Sequence, residues 1–376
     1  MRIAVITNSR IPSLTANSIQ AMKVCQALAQ LGYRIRVFAP RETAPVKWEQ
    51  LASHYGLSTP FEIEWLSSLP ALRRYDFSIH SIIAARRFKA DMLYTWLLNP
   101  AVLALWLGLP VVLEMHAEVT GRLGPWLMRR FWRSSTPKRM LATTRPLREA
   151  IERVAGLTFP EGAVQIAPNG TDLAQYESLP NATEARHRLG LAEKLTLGFT
   201  GHIYPGRGAD LLFELAKRMP EVNFLWVGGT PDEVSYWRER LVEAGITNVT
   251  MTGFVENSRL PLYQAAADIL LMPYGRSISA SSGQDIADVI NPMKMFDYMA
   301  AGRAIVSADL PVIHEVLNDG NAVFCKPGEA DAWERTLRTL LADSSRRQVL
   351  GTQARKDVAR YTWVARAERA LEGFGD

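Results

Sequence analysis

The chain contains few cysteines and no stretch of biased composition. Its two cysteines among 376 residues, Cys25 and Cys325, lie far apart, which excludes a disulfide scaffold, a zinc-binding spacing and a redox pair. Glycine and proline occur at ordinary levels and 48% of the residues are apolar, which excludes a disordered or collagen-like chain. We expect two buried free thiols in a reducing, cytoplasmic compartment and, from the length, two domains.

The first ten residues do not have the pattern of a signal peptide, because their apolar run is only about four residues long and no small-residue cleavage site follows it. Residues 92–113 form a stretch of 22 positions without a charge, long enough to cross a bilayer. Asn-Pro at 99–100 and Gly-Leu-Pro at 108–110 divide this stretch into pieces with the lengths of a strand, a short helix and a strand. We therefore expect a buried core segment rather than a membrane span.

Charge is distributed unevenly along the chain. The first 190 residues contain 23 Lys and Arg against 14 Asp and Glu, a net charge of +9, whereas the remainder carries −4. The most basic stretch, 122–153, interleaves aromatic and basic side chains, among them Trp126, Arg129, Arg130, Trp132 and Arg133. Two interpretations remain open: a solvated face, or a surface that meets anionic lipid or a phosphate-bearing acceptor at the inner face of the membrane. Nucleic acid is disfavoured, because no binding module accompanies the stretch.

Short apolar runs alternate with helical patterns, which predicts an α/β fold with parallel sheets. The candidate strands are residues 2–7, 34–40, 91–96, 110–116, 140–144, 163–169, 195–201, 223–229, 249–254, 267–274 and 303–308. A break near 176–194 predicts two doubly wound, Rossmann-like domains, 1–180 and 181–360. We expect residues 361–376 to form a helix that packs on the first domain, and a ligand to bind in a central cleft, at the carboxyl ends of the strands.

The loop at 199–212 has a composition suited to a diphosphate. A strand ends at Gly201, and Arg207 and Gly208 open a helix. Glycines let the backbone approach a ligand, the helix start offers free amides, and Arg207 supplies a charged fork. The alternative is an ordinary turn with an exposed arginine.

A second loop, 290–311, begins a helix at Asn291, with Met293 and Lys294 in its first turn and Asp297 one turn later. Amides and the Lys294 ammonium suit a diphosphate, and a carboxylate suits ribose hydroxyls. The alternative is an amphipathic helix with Lys294 and Asp297 paired on its surface.

A histidine and a polar loop complete the candidates. His116 directly follows an apolar strand and should lie at a carboxyl edge, although a lone histidine is more often structural. Thr15, Asn17 and Ser18 could bind an acceptor or a phosphate, or simply cap a helix.

Four blocks of the sequence resemble retaining glycosyltransferase family 4, which has the GT-B fold. They are IAPNGTDL (166–173), TGHIYPGRGADLL (200–212), MTGFV (251–255) and KMFDYMAAGRAIVSADLPVIHEV (294–316), with a weaker likeness around LEMHAE (113–118). The resemblance implies that a nucleotide-diphosphate sugar, of UDP or GDP type, binds mainly to the C-terminal domain and the acceptor to the N-terminal one. It implies no metal and no cofactor, and no DxD triplet occurs in the sequence.

The resemblance also implies roles for single residues. His116 matches the family's histidine at the donor sugar and phosphate, and Arg207 matches a basic residue that binds the diphosphate. Asp297 matches the glutamate that holds the ribose, and Val255 matches the position beside the base. Gly201 opens the diphosphate block.

Three departures from the family pattern stand out. His202 replaces the first basic residue of the diphosphate block, so that this charge depends on pH. Val289 lies where the family usually has a glutamate, and only the adjacent Asp288 could substitute. The glycine pair of the first loop is replaced by SLTANSIQ (13–20).

These features predict a metal-independent retaining glycosyltransferase that moves a hexosyl-type sugar to a glycan or a lipid-linked acceptor and forms an α-linkage. The rival interpretations are a non-catalytic GT-B subunit that binds a nucleotide or a partner, and a GT-B sugar-nucleotide epimerase or a phosphorylase. The epimerase is disfavoured because few carboxylates accompany the predicted sugar site.

Overall fold

The computed structural model describes residues 1–41, 46–69, 72, 75–203, 205–279 and 285–374. These residues divide into two compact units. The first unit contains residues 1–169 and 363–376, and the second contains residues 170–362. Residues 170–180, which we predicted in the first domain, belong to the second unit.

The first unit is built on a parallel sheet, which in the described residues has seven strands in the order β3-β2-β1-β4-β5-β6-β7. The strands are β1 (Arg2–Ile6), β2 (Arg34–Pro40), β3 (Glu62–Leu66), β4 (Met92–Thr95), β5 (Val111–Met115), β6 (Lys138–Ala142) and β7 (Val164–Ile166). The helices that connect them are α1 (Ala16–Gln30), α2 (Trp48–Tyr55), α3 (Tyr75–Arg87), α4 (Leu98–Trp106), α5 (Gly124–Arg133) and α6 (Arg145–Ala155). The central strands β1, β4 and β5 are almost wholly buried, as apolar runs covered on both faces should be.

The second unit repeats this plan, with six parallel strands among its described residues in the order β10-β9-β8-β11-β12-β13. The strands are β8 (Thr196–Thr200), β9 (Asn223–Val227), β10 (Val249–Gly253), β11 (Ile269–Met272), β12 (Ala304–Ala308) and β13 (Val323–Cys325). The helices are α7 (Ala182–Leu189), α8 (Ala209–Arg218), α9 (Pro231–Glu243), α10 (Leu260–Ala265), α11 (Met293–Ala301), α12 (Ala330–Ala342) and α13 (Ser344–Asp357).

The last helix, α14 (Trp363–Leu371), returns to the first unit and packs on α1. Its Trp363 and Arg366 side chains are buried there. The helix that we predicted within residues 361–376 is therefore part of the first unit, and residues 361 and 362 belong to the second.

The predicted fold class is confirmed, because both units are doubly wound α/β units with parallel sheets. The apolar stretch at 92–113 contains β4, α4 and β5, as its Asn-Pro and Gly-Leu-Pro breaks predict. No helix in the described ranges combines the length and the hydropathy that a bilayer crossing requires.

Candidate active site

In the second unit, glycines shape the loop that follows β8. Gly201 has a φ of +123°, and a Cβ atom placed on it would lie 2.9 Å from the Lys294 Nζ. A Cβ on Gly206 would lie 2.0 Å from the Ser277 oxygen, and one on Gly208 would lie 2.1 Å from the Pro273 oxygen. Only glycine allows this loop to lie against the segment after β11, which brings the diphosphate block and Lys294 together.

Arg207 and Lys294 form a pair of like charges at this loop. The Lys294 Nζ is buried, lies 3.8 Å from the centre of the Phe199 ring and has no hydrogen-bond partner among the described residues. Arg207 donates to the Ser279 carbonyl oxygen at 3.5 Å. Burial, and then the charge of Arg207, lower the pKa of Lys294 well below its usual value. Neither cation forms an ion pair with a carboxylate in the described part of the chain, so an anion is the group that would stabilise both.

Two helices begin at this loop system without a side-chain cap. The N-cap of α8 is Gly208, and that of α11 is Pro292. The first amides of a helix have no intrahelical acceptor, and the partial positive charge at its start attracts anions. Asn291 and Met293 flank the start of α11 and are half-buried. The second unit therefore offers amides and two cations to a phosphate-bearing ligand.

Asp297 lies one turn into α11 and contacts residues that sequence reasoning did not select. Thr171 donates from its Oγ1 to the Asp297 Oδ1 at 2.8 Å. Burial first, and then Asp297, raise the pKa of the Tyr176 hydroxyl well above its usual value. The alternative pairing of Asp297 with Lys294 does not occur, since Lys294 forms no ion pair with any residue that the structure describes.

The other donor-site candidates lie on neighbouring loops of the same unit. His202 directly follows Gly201, and Val255 follows β10 and packs on a small apolar cluster. Asp288 is exposed in a turn, whereas Val289 is buried. The position where the family usually has glutamate therefore offers no carboxylate, and the carboxylate of the adjacent Asp288 is exposed to solvent.

In the first unit, His116 lies at the carboxyl end of β5 and is a quarter exposed. Its Nε2 lies 2.5 Å from the Oε1 of Glu114, which is fully buried. Arg366 of α14 forms a bidentate ion pair with the same carboxylate, at 2.6 and 3.0 Å. Sequence reasoning missed Glu114 and Arg366, because nothing local marks two residues 252 positions apart as partners.

The polar loop before α1 requires one correction. Ser18 is fully buried, and its hydroxyl is bonded to the Tyr55 hydroxyl and donates to the Arg10 carbonyl oxygen. It therefore packs the helix onto α2 and does not face a ligand. Thr15 is the N-cap residue of α1 and contacts Ser13 through its hydroxyl, and Asn17 is exposed.

The basic and aromatic stretch on α5 divides into two groups. Trp126, Arg130 and Arg133 are exposed. Trp132 is half-buried against Phe159, with ring centres 4.5 Å apart. Arg129 donates to a backbone carbonyl oxygen, that of Ala155, at 2.8 Å. Trp132 and Arg129 are half-buried and make contacts within the unit, so the exposed part of the stretch is formed by Trp126, Arg130 and Arg133.

Residues from α4 enlarge the exposed group. The Trp106 and Trp126 rings meet edge to face with centres 6.4 Å apart, and Trp106 is 58% exposed. Leu107 and Leu123 beside them are also exposed. We call Trp106, Leu107, Leu123, Trp126, Arg122, Arg130 and Arg133 the α4–α5 patch.

The described residues include no group of three or more His, Cys, Asp or Glu side chains that could hold a metal ion.

Curated proteins with similar sequences are glycosyltransferases. TuaH of Bacillus subtilis, named for teichuronic acid biosynthesis, is 31% identical over 157 residues, which is 41% of this chain and 36% of that protein. A D-inositol 3-phosphate glycosyltransferase of Xylanimonas cellulosilytica is 28% identical over 62% of this chain and 56% of that protein. Sulfoquinovosyl transferase SQD2 of Arabidopsis thaliana is 24% identical over 90% of this chain and 66% of that protein. The chain thus matches between about a third and two thirds of the length of these relatives.

Solved structures share the fold. HepE of Anabaena in complex with UDP has a TM-score of 0.75 and 17% identity, over 100% of this chain and 99% of that chain. Sucrose-phosphate synthase of Thermosynechococcus elongatus also has a TM-score of 0.75, with 15% identity over 99% of this chain and 98% of that chain.

Two family models match the sequence in succession. The model described as Glycosyltransferase Family 4 matches residues 18–175, and the model described as Glycosyl transferases group 1 matches residues 194–343. Together the two ranges cover most of the chain and correspond largely to its two units. The chain therefore belongs to the family 4 glycosyltransferases, which have the GT-B fold.

Proposed function

We propose that the chain is a retaining glycosyltransferase that takes a hexosyl-type sugar from a nucleotide-diphosphate sugar and forms an α-glycosidic bond. The observation that carries this proposal is the pair of Arg207 and Lys294, held together beside two uncapped helix starts without a carboxylate bonded to either among the described residues. Such a site stabilises the negative charge of a diphosphate, which increases as the nucleoside diphosphate leaves the sugar.

The chemistry asks the protein to stabilise charge on the leaving diphosphate. As the bond between the anomeric carbon and the phosphate oxygen breaks, that oxygen gains charge, which Arg207, Lys294 and the helix amides stabilise. A well-placed donor of this kind contributes about 3–4 kcal/mol. The acceptor hydroxyl attacks the anomeric carbon from the same face, and the departing phosphate takes its proton. His116 orients the donor sugar in this proposal, and no side chain acts as a nucleophile.

Asp297 and Val255 would fix the nucleoside part of the donor. The Asp297 carboxylate, steadied by Thr171, accepts hydrogen bonds from ribose hydroxyls, and the backbone at Val255 lies beside the base. The donor is a UDP- or GDP-type sugar, and solved structures of the similar HepE are described with UDP and with UDP-glucose. Neither a metal ion nor a cofactor takes part in the proposed reaction.

The acceptor is a glycan or a lipid-linked acceptor, and the α4–α5 patch supports a peripheral position at the inner face of the membrane. Its two tryptophans and two leucines are exposed, the Arg130 guanidinium lies over the Trp126 ring, and Arg122 and Arg133 are exposed in the same segment. Tryptophan favours the level of the lipid headgroups, and each arginine near an anionic surface contributes about 1 kcal/mol.

The proposal is tested by measuring hydrolysis and transfer with a panel of UDP-, GDP- and TDP-sugars in the presence of EDTA. We expect Arg207→Ala to lower kcat/KM at least tenfold, since a charge-assisted hydrogen bond contributes about 1.5–3 kcal/mol. Arg188→Ala, which removes an exposed arginine of the same unit, should leave turnover unchanged. Nucleotide binding without turnover of any sugar would instead favour a non-catalytic nucleotide-binding subunit.

A further inference from the structure

The buried ion pair between Arg366 and Glu114 satisfies every hydrogen bond that the guanidinium can make. Its two terminal nitrogens donate to the two carboxylate oxygens, and also to the Tyr94 hydroxyl and the Ala167 carbonyl oxygen. The Nε donates to the Pro168 carbonyl oxygen at 2.9 Å. All five N–H groups are thus used, which fixes the position and the charge of Arg366 inside the unit.

The Glu114 carboxylate is a shared acceptor at the centre of this network. Besides Arg366 it receives hydrogen bonds from the Gln20 Nε2 at 2.6 Å and from the Tyr94 hydroxyl. Burial alone would raise the pKa of Glu114, but the charge of Arg366, together with the hydrogen bond to His116, outweighs it and holds this pKa below its usual range. Glu114 is therefore ionised and can only accept hydrogen bonds.

An ionised Glu114 decides where the His116 ring carries its hydrogen. The ring contacts the carboxylate through Nε2, so Nε2 must be the donor, and Nδ1 is the nitrogen left to meet a ligand. Glu114 is the penultimate residue of β5 and His116 directly follows the strand, so the contact links a rigid element to the partly exposed ring.

We propose that Arg366 is a positioning residue for the transfer reaction, which acts through Glu114 to fix the tautomer and the orientation of His116. The inference rests on the proposed function, in which His116 meets the donor sugar. A buried ion pair is seldom more stabilising than an apolar pair of the same size, so a role in orienting a neighbour accounts for its presence better than stability does. The last helix thereby contributes to the chemistry without touching the substrate.

The experiment uses the full-length chain labelled with ¹⁵N-histidine and observed by NMR. It compares the wild type with Arg366→Met, Glu114→Gln and the double variant. His116→Gln assigns the ring signals. At a pH where the wild-type ring is neutral, we expect the hydrogen on Nε2. In Arg366→Met, the buried Glu114 carboxylate loses its counter-charge and takes up a proton. It then donates to Nε2 of the ring, so the ring hydrogen moves from Nε2 to Nδ1. Arg366→Lys, which keeps the charge, should restore the wild-type signals.

Kinetics provide the second readout. We expect Arg366→Met to lower kcat at least tenfold while the Kd for the nucleotide changes less than about threefold. In the Glu114→Gln background, the same substitution should add less than about threefold, because Arg366 acts through that carboxylate. Arg366→Met alone leaves the buried Glu114 without a counter-charge, whereas the double variant removes both charges. The double variant should therefore still fold, and it tests whether Arg366 acts through Glu114.

A second buried ion pair supplies the control. Arg186 and Asp268 of the second unit lie 3.0 Å apart and are nearly as buried. Arg186→Met and Asp268→Asn should lower Tm but leave the His116 signals and kcat unchanged. Wild-type ring signals in folded Arg366→Met, or losses of kcat that add fully in the double variant, would overturn the inference. If the wild-type chain transfers no sugar, the proposed function fails, and the ring signals alone still decide the role of Arg366.

Discussion

Lys294 carries a charge that the free protein disfavours and a diphosphate would favour. Burial and Arg207 lower its pKa well below the usual value of about 10.4. A nucleoside diphosphate beside the ammonium raises that pKa again, so binding takes up a proton wherever free Lys294 is deprotonated. We expect calorimetry of UDP or GDP in buffers of different ionisation enthalpy to detect this uptake, and the nucleotide affinity to fall as pH rises.

Lys294→Arg separates this effect from other titrations. A guanidinium stays charged at all relevant pH values, so the proton uptake should disappear in that variant. Arg188→Lys, on the exposed face of α7, is the control and should behave like the wild type. The same uptake in Lys294→Arg would assign the titrating group elsewhere, with His202 as the next candidate.

Burial of Lys294 also affects the stability of the folded chain. Because the folded chain binds the Lys294 proton less tightly than the unfolded chain, the free energy of unfolding is lowered at every pH below about 10.4, and the cost shrinks as pH rises toward that value. We expect Lys294→Met to raise Tm at neutral pH, by about 2–4 °C for each kcal/mol recovered, with a smaller gain near pH 10. A lower Tm at neutral pH would show that the ammonium is stabilised within the fold.

Asp297 and Thr171 allow a graded test of the ribose assignment. Asp297→Ala should weaken nucleotide and nucleotide-sugar binding alike, since ribose contacts do not change in the transition state, and a hydrogen bond to a charged group contributes about 1.5–3 kcal/mol. Thr171→Val removes only the hydrogen bond that orients the carboxylate, and it should weaken nucleotide binding by about 1 kcal/mol. Calorimetry measures both. Unchanged nucleotide affinity with a collapse of kcat would remove Asp297 from the ribose site.

At the scale of elements, α4 and α5 present the surface that we propose for the membrane. Flotation with liposomes should require anionic lipid and weaken steeply between low and moderate salt. Replacement of Arg122, Arg130 and Arg133 by serine should abolish it, at about 1 kcal/mol per charge. The control removes three exposed arginines of the second unit, Arg188, Arg335 and Arg346, and should still float. Binding that ignores lipid charge, or no binding, would indicate an enzyme that meets its acceptor in solution.

The sequence predicts most strands, but it does not predict two edge strands, β3 and β13. β3 alternates glutamates with apolar residues, because its charges pair with Arg34 and Arg36 at the sheet edge instead of lying in a covered core. β13 is only three residues long and pairs with β12 alone. Both lack the continuous apolar run that identifies the central strands, so a rule based on such runs cannot find them.

The candidate site is predictable only where its parts are local in sequence. Glycines, a cation and a helix start occur together in the loop at 199–212, and the structure brings Gly201 next to Lys294. The burial of Ser18 and the pairing of Arg366 with Glu114 depend on contacts between distant segments. Such contacts follow from the packing of α2 and α14, which no local pattern specifies.

For the whole molecule, we propose that the chain transfers a sugar from a nucleotide-diphosphate donor with retention of configuration. Each unit matches its own family model, and the cations that support the claim lie together in the second unit. The cleft that the sequence predicts between the domains stays a prediction.

The most direct measurement follows the anomeric signal of the product by NMR, with the active donor of the panel and EDTA present. We predict an α-linked product from an α-configured nucleotide sugar, at a rate that falls at least tenfold in Arg207→Ala and in Lys294→Met and stays unchanged in Arg188→Ala. A β-linked product, turnover that requires added metal, or wild-type rates in both site variants would show that the chain is not a metal-independent retaining enzyme of this design.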